Sequence, residues 1–388
     1  MSRWKTLKLS EVFDLQMGKT PSRSNVEYWN DGSNKWISIA DIGLADKFIY
    51  KTKETITDLA VIESGIRIVP KNTVIMSFKL SIGKTCIVLE DMYTNEAIMA
   101  FVDKGKYEID NNFLYHMFRG KDWSIGINKA VMGSTLNKAT LCNVEICIPP
   151  LETQKQIAKT LDTAVELLTM RKQQLAELDN LIKSVFYDMF GDPIINEKGW
   201  DLSTVDKVCS KIMGGGTPSK SNNEYYIGNI PWVTPKDMKT IWINDSIDHI
   251  NEDAIKNSSA KLVPLNSVLM VIRSGILKRS LPVAINTVNI AINQDMKAFI
   301  TNEKVLKEYL LYFFMIIQNN ILKNVRAVTA DNIEFSLIRN MAIPCPPISI
   351  QNQFATIVTE IEEQKVLVKK AIGETQYLFD SLMSEYFK

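Results

Sequence analysis

Residues that bind metals are scarce in this sequence. Its 388 residues include two histidines, His116 and His249, and five cysteines. The cysteines are separated along the chain and odd in number, which is typical neither of a zinc site nor of a disulfide framework. We therefore expect no metal site, no disulfide and a reducing, cytoplasmic environment.

Long apolar runs and a strong net charge are also absent. The longest apolar run, around Tyr312–Ile317, is far shorter than the roughly 20 residues that span a membrane. The first residues contain no apolar segment of the kind found in signal peptides. The net charge is only +1, so any contact with nucleic acid must depend on local basic patches. We expect a soluble protein without a membrane partner.

Motifs that would indicate catalysis are missing as well. Two Gly-Lys-Thr strings, at 18–20 and 83–85, end like a P-loop, but Phe13 and Phe78 stand where that motif requires its first glycine. No Asn-Pro-Pro-aromatic or Asp-Pro-Pro-aromatic motif is present, as an amino-methyltransferase would need to hold a flipped base. His116 lies in a predicted helix and is expected to be structural. The sequence predicts a non-catalytic protein without a cofactor.

What the sequence does contain is a long helical pattern. From Ile157 onwards, apolar residues recur in alternating steps of four and three for about four heptads, and Arg171 fills one polar position. We expect a capping box at Thr153 and Gln156 to start the helix and Gly191 to end it. About 38 helical residues would extend roughly 57 Å. The candidate seam residues are Ile157, Leu161, Leu168, Leu175, Leu178 and Ile182.

A second copy of this pattern closes the sequence. Pro149-Pro150 recurs as Pro346-Pro347, and Gln154 recurs as Gln351. A single heptad pattern is often ordinary bundle packing, but two copies in register predict helices that pair with each other. The seam residues of the second copy are Phe354, Val358, Ile361, Ile372, Phe379 and Leu382.

The repeat extends over the rest of the chain. The string GKTP at 18–21 corresponds to GGTP at 215–218, and VPKNTVIM at 69–76 corresponds to VPLNSVLM at 263–270. Short β-branched runs between turn residues predict strands in each half, and segments such as Phe113–Arg119 and Val305–Gln318 predict helices. We expect two α+β domains, each followed by a long helix. The predicted bounds are 1–150, 151–190, 191–347 and 348–388.

The length of the connection decides how the two helices pair. About ten residues, Gly191–Trp200, follow the first helix and span at most roughly 33 Å when extended. Parallel helices would require the chain to return over roughly 57 Å, which is too far. The sequence therefore predicts an α+β fold of two repeated domains joined by two long antiparallel coiled-coil helices with pseudo-two-fold symmetry.

The polar loops of the repeat are candidates for nucleic-acid contact. The GxTP turns place small polar groups and backbone N–H groups at a loop tip, which suits phosphate contact. A loop between two predicted strands carries basic residues in each half, and a loop arginine can make a bidentate contact to guanine. The alternative for each residue is a solvated surface side chain. The candidates are Lys19, Thr20, Ser22, Arg23, Lys79 and Lys84 in the first half and Thr217, Ser219, Lys220, Arg273, Lys278 and Arg279 in the second.

Taken in order, these motifs make the whole chain resemble a type I restriction–modification specificity subunit. The resemblance rests on the two GxTP turns, on the loop segments MSFKLSIGK and MVIRSGILKRS, and on IPPLETQKQIA and CPPISIQNQFA before the long helices. The second copy has Pro-Pro-Ile-Ser-Ile-Gln where the family pattern is Pro-Pro-Leu-Glu-x-Gln.

The resemblance implies two target-recognition domains, each reading one half of a bipartite, asymmetric site in double-stranded DNA. It also implies that the helices seat two DNA-adenine methyltransferase subunits, on which motor–nuclease subunits then dock. Two alternatives remain at this point. One is a coiled-coil scaffold that presents two protein-binding domains, and the other is a specificity subunit of a methylation-only system.

Overall fold

The computed structural model describes residues 4–79, 81–123, 136–323, 326–327 and 331–387. The chain divides into two compact units, the first comprising Met1–Lys172 with Lys370–Lys388 and the second comprising Gln173–Lys369. Each unit therefore contains one globular part together with segments of both long helices.

Short strands alternate with short helices in the globular part of the first unit. The elements are β1 (Lys5–Lys8), α1 (Leu9–Val12), β2 (Phe13–Met17), β3 (Asn34–Ile37), α2 (Ile39–Leu44), β4 (Phe48–Ile49), β5 (Glu54–Ile56), α3 (Asp58–Ser64), β6 (Val74–Ser77), β7 (Thr85–Val88), β8 (Tyr93–Thr94), β9 (Ile98–Asp103), α4 (Asn111–Gly120), α5 (Lys138–Cys142) and β10 (Glu145–Ile148), after which the long helix α6 (Leu151–Phe190) begins.

A five-stranded sheet in the order β2-β9-β6-β7-β4 forms the centre of this unit. Neighbouring strands run antiparallel except β7 and β4, which are parallel. The central strand β6 is buried on both faces: Val74 and Met76 pack into one apolar cluster and Ile75 into another. This division follows from the two-residue period of a strand. A second sheet has the order β5-β3-β8, and β1 pairs with β10.

The second unit repeats this plan. Its elements are β11 (Leu202–Thr204), β12 (Cys209–Gly214), β13 (Ile230–Val233), β14 (Trp242–Ile243), β15 (His249–Ile250), α7 (Glu252–Asn257), β16 (Leu262–Val263), β17 (Val268–Val271), β18 (Val283–Asn286), β19 (Ile290–Ile292), β20 (Met296–Thr301), α8 (Lys307–Ile316), α9 (Gln318–Leu322), β21 (Arg326–Ala327), β22 (Asp331–Asn332), α10 (Phe335–Arg339), β23 (Ala342–Pro344) and α11 (Ile348–Phe387). Its main sheet has the order β12-β20-β17-β18-β14, which matches the main sheet of the first unit strand for strand.

The two long helices pack against each other in both units. In the first unit, Ile157 and Leu161 of α6 belong to the apolar cluster that Leu382 and Tyr386 of α11 cover. In the second unit, the ring of Phe354 lies 5.6 Å from that of Phe186 and 5.1 Å from that of Phe190. Residues near the N-terminal end of each helix lie beside residues near the C-terminal end of the other. The helices are therefore antiparallel, as predicted.

Most of the predicted seam is buried, and the exceptions lie mainly in the second half of α11. Ile157, Leu161, Leu168, Leu178, Ile182, Phe354, Val358 and Ile361 are buried, whereas Leu175, Ile372, Phe379 and Leu382 are partly exposed. The polar positions of the seam are paired across or along the helices. Arg171 donates to the Ala371 carbonyl and to the Thr375 hydroxyl in the first unit. In the second unit, the buried Lys365 ammonium lies 2.7 Å from Asp179 and 2.6 Å from Glu362. Such polar pairs at seam positions favour one helix register over others.

Two glutamines attach the long helices to the globular parts. The Gln154 side chain donates to the Pro149 and Glu108 carbonyls and accepts from the Asp110 amide, at 2.8, 2.9 and 2.8 Å. The prediction of a capping box at Thr153 and Gln156 was wrong, because α6 already begins at Leu151. The recurring Pro-Pro-x-x-x-Gln pattern is therefore explained by side-chain bonds to the backbone near the helix start.

In the second unit, Gln351 makes the corresponding contacts. It donates to the Lys304 and Pro346 carbonyls at 3.0 and 2.8 Å and accepts from the Leu306 amide at 2.8 Å. Gln351 is 0% exposed. Replacing it with Ala would leave these three backbone groups without their partners in a buried site. An unpaired buried polar group costs about 1–3 kcal/mol, so we expect a marked drop in the temperature of thermal unfolding. Gln353→Ala, at an exposed position of the same helix, is the matched control, and equal melting of the two variants would contradict this role.

Candidate nucleic-acid interface

Three loops of the first unit lie at the same end of its main sheet. The GKTP turn follows β2, the residues 95–97 precede β9, and the hairpin 78–84 joins β6 to β7. Since β9 runs antiparallel to both β2 and β6, the end of β2, the start of β9 and the end of β6 meet at one edge. Backbone bonds hold the loops together: the Lys19 amide donates at 2.9 Å to O of Thr94, the residue that precedes the loop 95–97, and the Phe78 amide donates to Ala97 O at 3.0 Å.

The second unit has the same three loops. The GGTP turn follows β12, the residues 293–295 precede β20, and the loop 272–282 joins β17 to β18, with the same strand directions. The Gly216 amide donates to Ile292 O at 2.9 Å, and the Ile272 amide donates to Asp295 O at 2.8 Å. We name the loops of residues 95–97 and 293–295 the central loops, because a turn and a hairpin flank each of them.

The glycines of the turns serve close packing. A Cβ atom at Gly18 would lie 2.1 Å from Thr94 O, and one at Gly215 would lie 2.1 Å from Ile292 O. The amides of Gly18 and Lys19 donate within the fold, to Ile98 O and Thr94 O. The expectation that these turns present free backbone N–H groups to phosphate is therefore wrong for Gly18, Lys19 and Gly216.

Arg23, after the first turn, is held by three partners. Its guanidinium makes a bidentate contact to Glu54 at 2.5 and 3.0 Å and lies 3.7 Å above the Trp29 ring. The hydrogen bonds from Arg23 hold the pKa of Glu54 below its usual value, although partial burial opposes them. Trp36, whose ring is 5.0 Å from the same guanidinium, donates to Lys19 O at 3.0 Å. Arg23 therefore fixes the turn within its own unit.

The corresponding residue of the second unit, Lys220, is exposed, and among the described residues no side-chain partner of it is recorded. The acidic residue Asp248, at the position of Glu54 in the repeat, pairs with Lys236 at 2.7 Å instead. The neighbouring serines behave alike in the two units, since Ser22 bonds to Ser24 at 2.8 Å and Ser219 to Ser221 at 2.7 Å.

The other predicted cations also differ in their environments. Lys19 donates to Ser64 O at the end of α3, at 2.9 Å. Lys79 lies 5.3 Å from the Phe78 ring, whereas Lys84 is exposed. In the second unit, Arg273 forms an ion pair with Asp295 at 2.5 Å. Lys278 ends the helical turn Gly275–Lys278, and both it and Arg279 are exposed. In each unit, the loop cations thus lie near one end of the main sheet. Several of them form hydrogen bonds or ion pairs within their own unit.

The central loops belong to this surface as well, although no sequence motif indicated them. The hydroxyl of Thr20 donates to the Glu96 carboxylate, and the hydroxyl of Thr217 donates to the side-chain oxygen of Gln294. Glu96 and Gln294 are exposed and occupy the same position of the repeat. Each directly follows a repeated asparagine, Asn95 or Asn293, which is the sequence signal that could have found them.

We expect Arg23→Ala to destabilise the protein and Lys220→Ala to leave its stability nearly unchanged. An exposed ion pair and a cation–π contact together contribute about 1 kcal/mol, whereas an unpaired surface lysine contributes almost nothing. The measurement is the thermal unfolding temperature of the full chain. Arg23→Lys separates charge from geometry, because lysine cannot make the bidentate contact. Equal melting of the Ala variants at 23 and 220 would contradict a structural role for Arg23.

His116, which the sequence analysis interpreted as structural, is buried and lies 2.7 Å from Asp162. Burial lowers the pKa of His116 despite the neighbouring carboxylate. Lys47 contacts the same carboxylate at 2.6 Å, so this group joins α4 to the start of α6. In the described part of the chain, no cluster of three or more potential metal ligands was found. No helix among the described residues is long and apolar enough to cross a membrane.

The model of the type I restriction modification DNA specificity domain matches residues 1–180 and 197–374. The chain belongs to this family and contains its domain twice. The family resemblance deduced from the GxTP turns and the Pro-Pro-x-x-x-Gln segments is thereby confirmed.

Individual relatives agree with this assignment. The chain is 32% identical over 217 residues to the specificity subunit of the type I restriction enzyme EcoR124I/EcoR124II of Escherichia coli, a match that covers 55% of this chain and 52% of that protein. It is 30% identical over 171 residues to the MjaIX specificity subunit of Methanocaldococcus jannaschii, covering 43% of this chain and 38% of that one. The matched segments thus span about half or less of these curated relatives.

Solved structures share the fold over the full length. A chain from a study of complex assembly and conformational transition in a type I R-M system superposes with a TM-score of 0.65 at 18% identity, covering 100% of this chain and 98% of that one. The S subunit of a type I restriction–modification system from M. genitalium gives 0.58 at 14% identity, covering 99% and 96%. These likenesses support the two repeated α+β domains and the long helices.

Proposed function

We propose that this chain is the DNA-specificity subunit of a type I restriction–modification system. In this proposal, residues 1–150 and 191–347 are target-recognition domains, and each reads one half of a bipartite site in double-stranded DNA. The observation that carries the proposal is the duplicated specificity domain, with three loops gathered at one sheet end in each copy. Recognition is the role assigned to the chain, and the chemistry on DNA belongs to its partners.

The two half-sites are expected to differ. The loops have the same arrangement in both units, but their side chains do not match: Arg23 is replaced by Lys220, Lys79 by Arg273 and Glu96 by Gln294. Base pairs are distinguished by the donors and acceptors of the side chains that face them. An asymmetric site follows from this difference.

The long helices are the proposed seat of two DNA-adenine methyltransferase subunits, with motor–nuclease subunits joining that core. Large apolar side chains remain exposed on these helices. In the first unit, Met170 is 59% and Tyr377 is 78% exposed, and in the second unit Val366 is 63% and Leu367 is 66% exposed. Exposed apolar groups on otherwise well-packed helices support binding of further protein subunits.

Mapping of modified bases tests the proposal. The chain is co-expressed with its methyltransferase in cells that lack other adenine methylation, and the genomic DNA is sequenced for methyladenine. We expect a bipartite motif with two different half-sites and a fixed gap. Cells that carry the methyltransferase alone are the control. Methylation without a motif, or a motif that does not depend on the chain, would favour a protein scaffold instead.

A further inference from the structure

We propose that Glu96 and Gln294 each read one base pair in the major groove. Glu96 would accept a hydrogen bond from the amino group of cytosine, and Gln294 would make a bidentate contact to adenine. This inference rests on the proposed function, and it assigns base reading to the central loops in addition to the basic hairpins.

Glu96 and Gln294 are placed where a bound duplex would be contacted. Each residue lies on a central loop, at the end of the main sheet, between the GxTP turn on one side and the hairpin on the other. Both side chains are exposed. The neighbouring turn and hairpin carry cationic side chains in each unit. Arg23 and Arg273 are paired with Glu54 and Asp295, whereas Lys84 and Lys220 are exposed. A polar side chain between loops that carry exposed lysines is suited to base contact while the lysines contact phosphate.

The central loops are fixed before any ligand binds. The Asn95 amide donates to Ile37 O at 3.0 Å, and the Asn95 side chain accepts from the Ala97 amide at 3.0 Å. In the second unit, the Asn293 amide donates to Val233 O at 3.1 Å, and the Asn293 side chain accepts from the Asp295 amide at 3.1 Å. A side chain on a loop held in this way loses little conformational freedom on binding.

The repeated threonine orients each reading group. Thr20 donates to one oxygen of the Glu96 carboxylate, Oε2, and no partner of the other oxygen, Oε1, is recorded in the described part of the chain. Thr217 donates to Oε1 of Gln294, and the described residues likewise provide no acceptor for its Nε2 group. The threonines are therefore positioning residues, and one polar atom of each neighbour remains available.

The chemistry of these free atoms determines the base. A carboxylate only accepts hydrogen bonds, so it suits the N4 amino group of cytosine and is repelled by the N7 and O6 acceptors of guanine. Adenine offers an amino donor beside an N7 acceptor, and the carboxamide of glutamine matches both. The carboxamide oxygen has a second lone pair, so it can accept from adenine while it accepts from Thr217.

Exchange of the two side chains tests the inference. The complex of the full chain with its methyltransferase selects duplexes from a random library, and the enriched sequences are read. For Glu96→Gln, we expect one base pair of one half-site to change from a cytosine to an adenine preference. For Gln294→Glu, the opposite change should occur in the other half-site. A good base contact discriminates by about 1–3 kcal/mol, so each preference should shift by roughly 5- to 150-fold.

Two further variants separate base reading from loss of charge or structure. Glu145→Gln removes the same charge from an exposed position on β10, and it should leave both half-sites unchanged. Thr20→Val removes the orienting hydroxyl, and it should weaken preference at the same base pair as Glu96→Gln while the other half-site is retained.

The outcomes are distinct. Two unchanged half-sites in both exchange variants, or an equal loss of selection in both halves, would overturn the inference while the proposed function stands. A wild-type complex that selects no bipartite sequence would overturn the proposed function itself.

Discussion

Removal of residues 348–388 is expected to leave a chain that aggregates. In the first unit, the deletion removes Leu382 and Tyr386, which pack against the apolar cluster that contains Ile157 and Leu161. In the second unit, it uncovers Phe186 and Phe190, which surround the fully buried Phe354. Apolar surface of this extent is rarely left exposed on a soluble protein. The polar groups that face Lys365 and Thr375 across the seam would lose their partners as well.

Size-exclusion chromatography with light scattering measures this effect. A milder variant, Phe354→Ala, keeps the helix but leaves a cavity between Phe186, Phe190 and Tyr312, whose ring lies 5.6 Å from that of Phe354. A buried Phe→Ala change costs about 3–5 kcal/mol, so this variant should remain monodisperse but melt at a lower temperature. Gln353→Ala, on an exposed face of the same helix, is the control. A truncated chain that is monodisperse and melts like the wild type would contradict the role of α11 in both units.

The sequence was sufficient to predict the long helices and their direction. A heptad pattern repeated after 197 residues (346 − 149) could only be satisfied by two helices that pair, and the short connection at Gly191–Trp200 excluded parallel pairing. Local periodicity and chain length are properties of the sequence itself, and the antiparallel contact of Phe186 with Phe354 confirms the conclusion. The family followed from the order of the motifs, which the repeat made specific.

Details that depend on tertiary contacts could not be predicted in the same way. The roles of Gln154 and Gln351 require carbonyls from loops about 45 residues away, at Glu108 and Lys304. Equally, nothing in the sequence shows that Arg23 is engaged by Glu54 and Trp29 while Lys220 is not. Cations in polar loops look alike in a sequence. Only the strand pairing that brings Glu54 beside Trp36 reveals which of them is bound within the fold.

Substitution of Gly215, in the GxTP turn of the second unit, is also expected to have a large effect on stability and recognition. A Cβ atom at Gly215 would lie 2.1 Å from Ile292 O and 2.2 Å from Asn293 O, both backbone atoms. Neither can move without displacing β19 or the central loop, so Gly215→Ala should destabilise the second unit. Forced overpacking commonly costs about 1–3 kcal/mol and sometimes more. Because Thr217 and Gln294 meet at the same turn, recognition of one half-site should also be lost.

Gly275→Ala is the matched control for stability, because a Cβ atom at Gly275 would meet nothing within 4 Å. These two variants are compared by thermal unfolding, and Gly215→Ala is also compared with the unchanged chain by selection of duplexes with the methyltransferase complex. We expect Gly215→Ala to melt at a lower temperature and to keep its preference only in the half-site read by the first unit. Gly18→Ala should give the reciprocal result, since a Cβ atom there would lie 2.1 Å from Thr94 O. If Gly215→Ala melts like Gly275→Ala and selects the same site as the unchanged chain, the glycine is not required by close packing, and its recurrence in both turns needs another explanation.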